Sequence, residues 1–166
     1  MQLPTILFFA GAFADPSCFD DLTGYFHKAG YPTAYAHVET LNASHPDRVS
    51  TSLDAEVTRR EALLPLVEAG KDVVIFAHSY GGVVGGAAAA GLSKRQRYFK
   101  KRPGGVIGFV YLAGNIVGKG STLLEGVGGA YPPFIKQDTV GSRFQQRING
   151  CTLTTRIYSR QKASPS

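Results

Sequence analysis

Cysteine is scarce in this chain. Two cysteines, Cys18 and Cys151, occur among 166 residues, which gives neither the dense pattern of a disulfide-stabilised domain nor the paired spacing of a metal site. Unpaired thiols are typical of a reducing compartment. Because no cofactor-binding motif is recognisable either, we predict a cytoplasmic protein with no metal and no other cofactor.

The chain also lacks a long hydrophobic run. No apolar stretch approaches the roughly 20 residues that a membrane-spanning helix needs. The apolar run Thr5–Phe9 has no basic side chain before it and is short for the core of a signal peptide. We interpret it as a buried first strand of a soluble protein.

Negative charge is scarce in the C-terminal half. Residues 1–93 carry five Lys or Arg and ten Asp or Glu, whereas residues 94–166 carry 13 and two. A basic surface is one feature of nucleic-acid-binding proteins. The densest basic stretch, residues 94–102, stands between a predicted helix and a predicted strand, where a solvated loop is the simpler interpretation. We expect neither a nucleic-acid nor a membrane partner.

Histidine is missing from the second half of the chain. The four histidines all lie before residue 79: His27, His37, His45 and His78. Beyond residue 79, the acidic side chains are Glu125 and Asp138 alone. No histidine therefore follows Ser79 in this chain, and we expect none of the four earlier histidines to be its base.

The patterns that are present predict a single α/β domain. A chain of 166 residues with 43% hydrophobic residues is large enough to bury a core. Apolar strand-like runs alternate with helical patterns, which favours a mostly parallel sheet covered by helices on both faces, a three-layer α/β/α sandwich. The predicted strands are residues 5–9, 33–38, 72–76 and 106–113.

Helix boundaries are marked by capping residues. Asp15-Pro16 predicts the start of a helix that ends at Gly30. Thr51-x-x-Asp54 has the spacing of a capping box, and Pro65 predicts a kink in the helix that follows. A glycine- and alanine-rich helix is predicted from Gly81 to Gly91. Residues 141–166 show no apolar period, so we divide the chain into a domain over 1–140 and an irregular basic tail over 141–166.

Ser79 lies where an apolar run meets a row of small residues. Residues 73–76 are β-branched or aromatic, and Ala-His-Ser-Tyr-Gly-Gly follows at 77–82. A strand, a sharp turn with a serine and a helix, in this order, are the pattern of a nucleophile elbow, which exposes the serine hydroxyl. The alternative is a chance match in an ordinary turn before a helix. Ser79 is the predicted catalytic residue.

A glycine turn follows the first strand, at Ala10-Gly11-Ala12-Phe13. In a parallel sheet, sites form at the C-terminal ends of the strands, so this turn and the elbow are expected to meet. The backbone N–H groups of Ala12 and Tyr80 would then form an oxyanion hole. The alternative is a plain strand-to-helix turn that uses glycine for its backbone angles.

These segments resemble the α/β-hydrolase family, in its small esterase-like branch of fungal type. That branch begins with a strand and His-Gly-Ala-[Phe/Trp], and it carries a Val-Val-x-x-Gly-His-Ser-Tyr-Gly-Gly elbow. The resemblance runs from Thr5 to Ala113 and more loosely to Lys136. This chain has Ala10 where the family has histidine and Ala77 where it has glycine. Both positions act through backbone geometry, so neither change by itself removes catalysis.

The resemblance implies a partial α/β-hydrolase fold. It places the four strands in the spatial order second, first, third, fourth, and it implies further strands beyond the fourth, so we expect a chain that is truncated after that strand. The fourth strand, which begins at Val106 and ends at Ala113, would then lie at the sheet edge and invite self-association. The family order is Ser, then Asp or Glu, then His. Only Ser79 has a clear counterpart in that order.

Three functional hypotheses remain open. The first is a serine hydrolase that cleaves a small ester or lactone through an acyl-Ser79 intermediate, with a base from the tail or a partner chain. The second is a non-catalytic hydrolase-like protein that binds a small apolar ligand, or a decayed, truncated copy. The third is a lyase-type enzyme on the same scaffold, because a fold does not fix a chemistry.

Overall fold

Four parallel strands form the central sheet of the protein. The computed structural model describes residues 2–12, 14–45, 48–130, 142–148 and 151–157. The strands are β1 (Thr5–Phe9), β2 (Thr33–Ala36), β3 (Asp72–His78) and β4 (Gly105–Leu112). Their order is β2-β1-β3-β4, all parallel. The spatial order predicted from the sequence is confirmed, and β2 is two residues shorter than predicted.

The helices follow the predicted alternation with the strands. A 3-10 turn (Pro16–Phe19) leads into α1 (Asp20–Lys28), and α2 (Thr51–Thr58) continues through a π-helical turn (Arg59–Leu63) into α3 (Leu64–Glu68). The others are α4 (Gly81–Ala88), α5 (Lys94–Phe99) and α6 (Leu123–Gly126). In the part of the chain described above, no helix has the length and hydropathy of a bilayer-spanning segment.

Both faces of the sheet are buried, which makes the fold a three-layer α/β/α sandwich. Alternate residues of β1 point to opposite faces. Leu7 and Phe9 pack with residues of α2, α3 and α4, whereas Ile6 and Phe8 pack with Phe19 and the apolar side of α1. Continuous apolar runs such as β1 are typical of strands that are covered on both sides.

The helix before β3 starts and bends where local chemistry requires it. Ser50 caps α2 by accepting a hydrogen bond from the N–H of Leu53 at 3.2 Å. The predicted cap at Thr51 is therefore wrong by one residue. The π-helical turn ends at Leu63, two residues before Pro65, which lacks the N–H of a regular helical bond. The helix is thus irregular just before Pro65, and the kink at Pro65 stays a prediction.

The basic stretch after α4 is not the solvated loop that the sequence predicts. Ser93 caps α5 by accepting a hydrogen bond from the N–H of Gln96, and residues 94–99 are helical. Arg97 is only 3% exposed. Its guanidinium donates to the carbonyl oxygens of Val67 and Gly104, at 3.0 and 3.1 Å. Arg97, on α5, is thus buried, and its hydrogen bonds join α5 to α3 and to the residue that precedes β4.

The strand β4 lies at the edge of the sheet, as predicted. Among the described strands it pairs with β3 only, with a bulge opposite Val73 and Val74, and an isolated parallel bridge joins its residue Val106 to Ser93. Phe109 packs against the core, whereas Val110 and Leu112 are 46% and 50% exposed. The face of β4 that continues the α1 side of the sheet therefore carries exposed apolar side chains.

The predicted irregular tail contains a β-hairpin. Strands β5 (Ser142–Ile148) and β6 (Cys151–Ile157) pair antiparallel, with Ile148 opposite Cys151. The irregular description is therefore wrong for these two segments. The missed signals are the dipeptide Asn149-Gly150, which favours a two-residue hairpin loop, and the alternation of apolar positions in β6. The boundary at residue 140 is not tested, because residues 131–141 lie outside the described ones.

Candidate active site

Ser79 occupies a strained turn between a strand and a helix. The strand β3 ends at His78, and α4 begins at Gly81. Ser79 has a φ of +50°, in the left-handed region that residues with a side chain rarely adopt. Its carbonyl oxygen accepts hydrogen bonds from the N–H groups of Gly82 at 3.0 Å and Asn115 at 2.9 Å. The geometry is that of a nucleophile elbow, with a serine at its tip.

The glycine turn after β1 lies directly against the elbow. A Cβ atom built on Gly11 would lie 3.5 Å from the Cβ of Ser79 and 3.1 Å from Nδ1 of His78. The structure thus brings together the two segments that the sequence predicts to meet. Among the described residues, the N–H groups of Ala12 and Tyr80 donate no hydrogen bond to the protein. Both donors remain available to an oxygen of a bound molecule.

Close backbone packing explains the glycines that follow Ser79. A Cβ atom on Gly81 would overlap the carbonyl oxygen of Phe9 and lie 2.7 Å from that of Ala10. A Cβ atom on Gly82 would lie 2.5 Å from the carbonyl oxygen of Asn115. The first turn of α4 therefore rests on the end of β1 and on the loop after β4. This contact brings the start of α4 to the C-terminal edge of the sheet.

His78 lies beside the turn and is half-buried. Its ring lies over the Cα atom of Gly11, on the side where a Cβ atom would also meet Ser79. Burial lowers the pKa of His78 below the usual value of 6.5, because desolvation penalises the charged imidazolium. The imidazole is accordingly neutral at pH 7 and has a free electron pair to accept a proton. In the described part of the chain, the Ser79 hydroxyl makes no hydrogen bond to a side chain.

The other histidines lie elsewhere. His27 is on α1, where its Nε2 hydrogen-bonds with the hydroxyl of Thr33 at 2.6 Å. His37 follows β2, and β1 separates that strand from the elbow strand. His45 is exposed in the segment between β2 and α2. None of the three is joined to Ser79 by a contact in the described structure.

Of the two acidic residues after Ser79, Glu125 lies within the described part of the chain and Asp138 does not. Glu125 belongs to the capping box of α6, where it accepts a hydrogen bond from the N–H of Thr122 at 2.6 Å. This bond lowers the pKa of Glu125. Asp138 lies outside the described residues. Glu125 thus serves helix capping rather than an acid–base pair with Ser79.

A buried carboxylate that the sequence did not lead us to expect lies next to the elbow. Asp54, predicted to belong to a capping box, is 0% exposed. Its carboxylate accepts hydrogen bonds from the Tyr80 hydroxyl at 2.7 Å and from the Thr40 hydroxyl at 2.6 Å. A signal was present, because Asp54 lies three and four residues before the buried Val57 and Thr58, on one side of the helix.

The described residues contain no cluster of three or more His, Cys, Asp or Glu side chains that could hold a metal ion. The side chains of Ser79 and His78 both lie at the Gly11 turn, and the N–H groups of Ala12 and Tyr80 have no protein acceptor among the described residues. Such a set suits attack by an oxygen nucleophile on a polarised carbonyl group.

The comparisons with known proteins agree at the level of a family. A model of the alpha/beta hydrolase family matches residues 6–158. The alpha/beta hydrolase nvfD of Aspergillus novofumigatus (strain IBT 16806) is 29% identical over 123 residues, which are 74% of this chain and 48% of that protein. The chain therefore spans about half the length of this curated relative. No solved structure matches this chain. Since the family match covers the sheet, the elbow and the glycine turn together, the chain belongs to the alpha/beta hydrolase family.

Proposed function

We propose that the protein is a serine hydrolase that cleaves a small ester or lactone. The strained elbow at Ser79 is the observation that carries this proposal. Strain of this kind costs about 1–3 kcal/mol and is typically retained where a site uses it. The family match supports the same scaffold without naming a substrate.

In the proposed reaction, Ser79 Oγ attacks the carbonyl carbon of the ester. The carbonyl π electrons move to oxygen, and the N–H groups of Ala12 and Tyr80 stabilise the oxyanion. When the tetrahedral intermediate collapses, the bond to the alcohol oxygen breaks, and an acyl-Ser79 ester remains. Water then attacks this ester, which releases the acid and restores the Ser79 hydroxyl.

Attack by Ser79 needs a general base that takes up its proton, and the same group returns a proton to the leaving alcohol. The family order places a histidine after the serine, and residues 80–166 contain none. The imidazole of His78, which is neutral, lies beside Gly11, as the Ser79 side chain does. We therefore expect slow acylation when this chain acts alone, because serine hydrolases without their histidine retain a small part of their rate.

A second candidate is a non-catalytic hydrolase-like protein that binds a small apolar ligand. Among the described residues the Ser79 hydroxyl makes no hydrogen bond to a side chain, which favours this function because an activated serine is ordinarily hydrogen-bonded to its base. In this function the free N–H groups of Ala12 and Tyr80 would hold a carbonyl oxygen without bond cleavage.

Covalent labelling separates the two functions. A fluorescent fluorophosphonate should modify the purified protein with a stoichiometry of one, and Ser79→Ala should abolish the labelling. Ser52→Ala is the matched control, because Ser52 is an exposed serine on α2. Hydrolysis of p-nitrophenyl acetate that disappears in the same variant would establish turnover. A folded protein that is not labelled would refute the hydrolase and leave the binding function.

A further inference from the structure

The fully buried carboxylate of Asp54 is hydrogen-bonded to Tyr80, the residue that follows the proposed nucleophile, and has no role in the reaction above. Asp54 Oδ1 accepts a hydrogen bond from the N–H of Thr40 at 3.0 Å. Its Oδ2 accepts from the hydroxyl groups of Thr40 and Tyr80, at 2.6 and 2.7 Å. A buried carboxylate is costly unless donors of this kind surround it. The three donors come from two segments that leave the C-terminal ends of β2 and β3.

Tyr80 connects this carboxylate to the elbow. Its side chain is 3% exposed and packs in the core between α2 and α4. Burial, with the charge of Asp54 as the second cause, raises the pKa of the Tyr80 phenol far above its usual value. The phenol is therefore protonated throughout the working range of pH and acts as a fixed donor to Asp54.

The elbow needs such a fixed point. The φ of +50° at Ser79 is maintained only while the surrounding structure prevents relaxation. On one side, the N–H of Asn115 holds the Ser79 carbonyl oxygen at 2.9 Å. This carbonyl belongs to the peptide between Ser79 and Tyr80, and the Tyr80 side chain, through its bond to Asp54, holds the residue at the other end of that peptide. That same peptide carries the free N–H that faces the proposed oxyanion.

We propose that Asp54 is a positioning residue: through the Tyr80 hydroxyl, it fixes the backbone N–H of Tyr80 in the direction of the oxyanion. This inference rests on the proposed hydrolase function. Asp54 does not touch the substrate, and it acts only through the orientation of Tyr80. A loss of the Asp54–Tyr80 bond should therefore slow the chemical step and leave binding of the reagent unchanged.

The test compares two variants that each remove one buried hydroxyl group. Tyr80→Phe deletes the donor to Asp54. Thr58→Val is the control, because the Thr58 hydroxyl is fully buried but donates to carbonyl oxygens of its own helix, at 2.7 Å for Asp54 O. For both, the kinetics of fluorophosphonate labelling give kinact and KI separately, well below the unfolding temperature.

Tyr80→Phe should lower kinact about 10-fold, less than the roughly 100-fold loss when an oxyanion donor is deleted outright. The KI should stay within about twofold, and Thr58→Val should change neither constant. Asp54→Asn should lower kinact as well, and the double variant should be no slower than Asp54→Asn alone, because both changes disrupt the Asp54–Tyr80 bond. Equal kinact values for Tyr80→Phe and Thr58→Val would overturn the inference.

A second measurement decides the inference if the wild-type protein is not labelled, an outcome that refutes the proposed function itself. Amide hydrogen exchange at residues 79–82 reports the rigidity of the elbow without any reaction. We expect at least about fivefold faster exchange there in Tyr80→Phe than in Thr58→Val, which corresponds to the loss of one hydrogen bond. Equal exchange in the two variants would reject the role of Asp54.

Discussion

At the scale of single residues, steric contact with the backbone dictates the sequence after Ser79. Gly81 and Gly82 are the first residues of α4, and both touch backbone atoms of other segments. A side chain has no alternative rotamer that avoids a contact at its own Cβ atom. The glycines are therefore required by packing, although helical propensity alone disfavours them.

Two alanine substitutions in α4 should have opposite effects on stability. Gly81→Ala should lower the free energy of unfolding by about 2–3 kcal/mol, because the added methyl group overlaps Phe9 O. Gly86→Ala should raise it by about 0.5–1 kcal/mol, because nothing lies within 4 Å of the new Cβ atom and alanine favours the helix. Urea unfolding measures both. Similar effects of the two substitutions would contradict the packing of α4 on β1.

The lowered pKa of His78 predicts a dependence of stability on pH. The folded protein binds a proton at His78 less readily than the unfolded chain, whose histidines titrate near 6.5. As the pH falls below about 6.5, the unfolded state gains protons that the folded state does not, so the folded protein loses stability. The loss stops growing once the pH is below the folded pKa.

His78→Gln should reduce this loss of stability between pH 7 and pH 5, measured by urea unfolding at each pH. His45→Gln is the control, because His45 is exposed. A pH profile for His78→Gln that matches that of the wild type would show that burial of this ring does not affect its titration.

At the scale of elements, hydrophobic periodicity predicted most of the fold. One element that it did not predict, α5, contains a buried polar side chain. The strands were predictable because each is an apolar run between turn residues, and the bounds of β1 are those expected. The helix α5 was missed because its six residues are mainly basic or aromatic. Burial of Arg97 stabilises this helix, and it depends in part on the carbonyl oxygen of Val67, which is 30 residues away in sequence.

Arg97 should be essential for stability although it belongs to a basic surface stretch. Arg97→Met should lower the free energy of unfolding by about 3 kcal/mol, because the carbonyl groups of Val67 and Gly104 would lose their donor in a buried place. Arg97→Lys should restore only part of this loss, since one ammonium group cannot reproduce the planar set of donors.

Arg95→Met serves as the matched control for the change of charge. Arg95 is exposed on the same helix, so its replacement should alter the free energy of unfolding by less than about 0.5 kcal/mol. Thermal and urea unfolding measure the three variants. A loss of equal size at Arg95 and Arg97 would mean that net charge, rather than the buried guanidinium, stabilises this region.

At the scale of the whole molecule, β4 is an edge strand of the described sheet, and beyond the bridge of Val106 to Ser93 no described strand pairs with its outer side. The strand β4 contains no charged residue and no proline over eight residues, and proteins ordinarily use both to block edge strands. Its apolar side chains at 110 and 112 are exposed. We propose that this edge pairs with a second copy of the chain.

The fraction of dimers formed through β4 should rise with protein concentration and fall when a charge replaces an exposed apolar side chain of this strand. Sedimentation velocity should show an increasing share of dimers as the concentration rises, and Val110→Lys should shift the protein to a monomer. Tyr25→Lys adds the same charge at an exposed aromatic residue of α1, away from the edge, and should not change the dimer fraction. A monomer at every accessible concentration would exclude this interface.

The sequence by itself determined the scaffold and the position of Ser79 in a turn between a strand and a helix. Alternation of strands and helices fixes a parallel sheet, and an apolar run that ends in His-Ser-Tyr-Gly-Gly fixes the place of Ser79, because these signals are local. The tertiary structure alone decided how the turn is held. The contacts of Gly81 with Phe9, of Tyr80 with Asp54 and of Arg97 with Val67 join residues that are far apart in sequence. Such contacts leave no periodic trace, because each depends on where the chain brings its distant segments together.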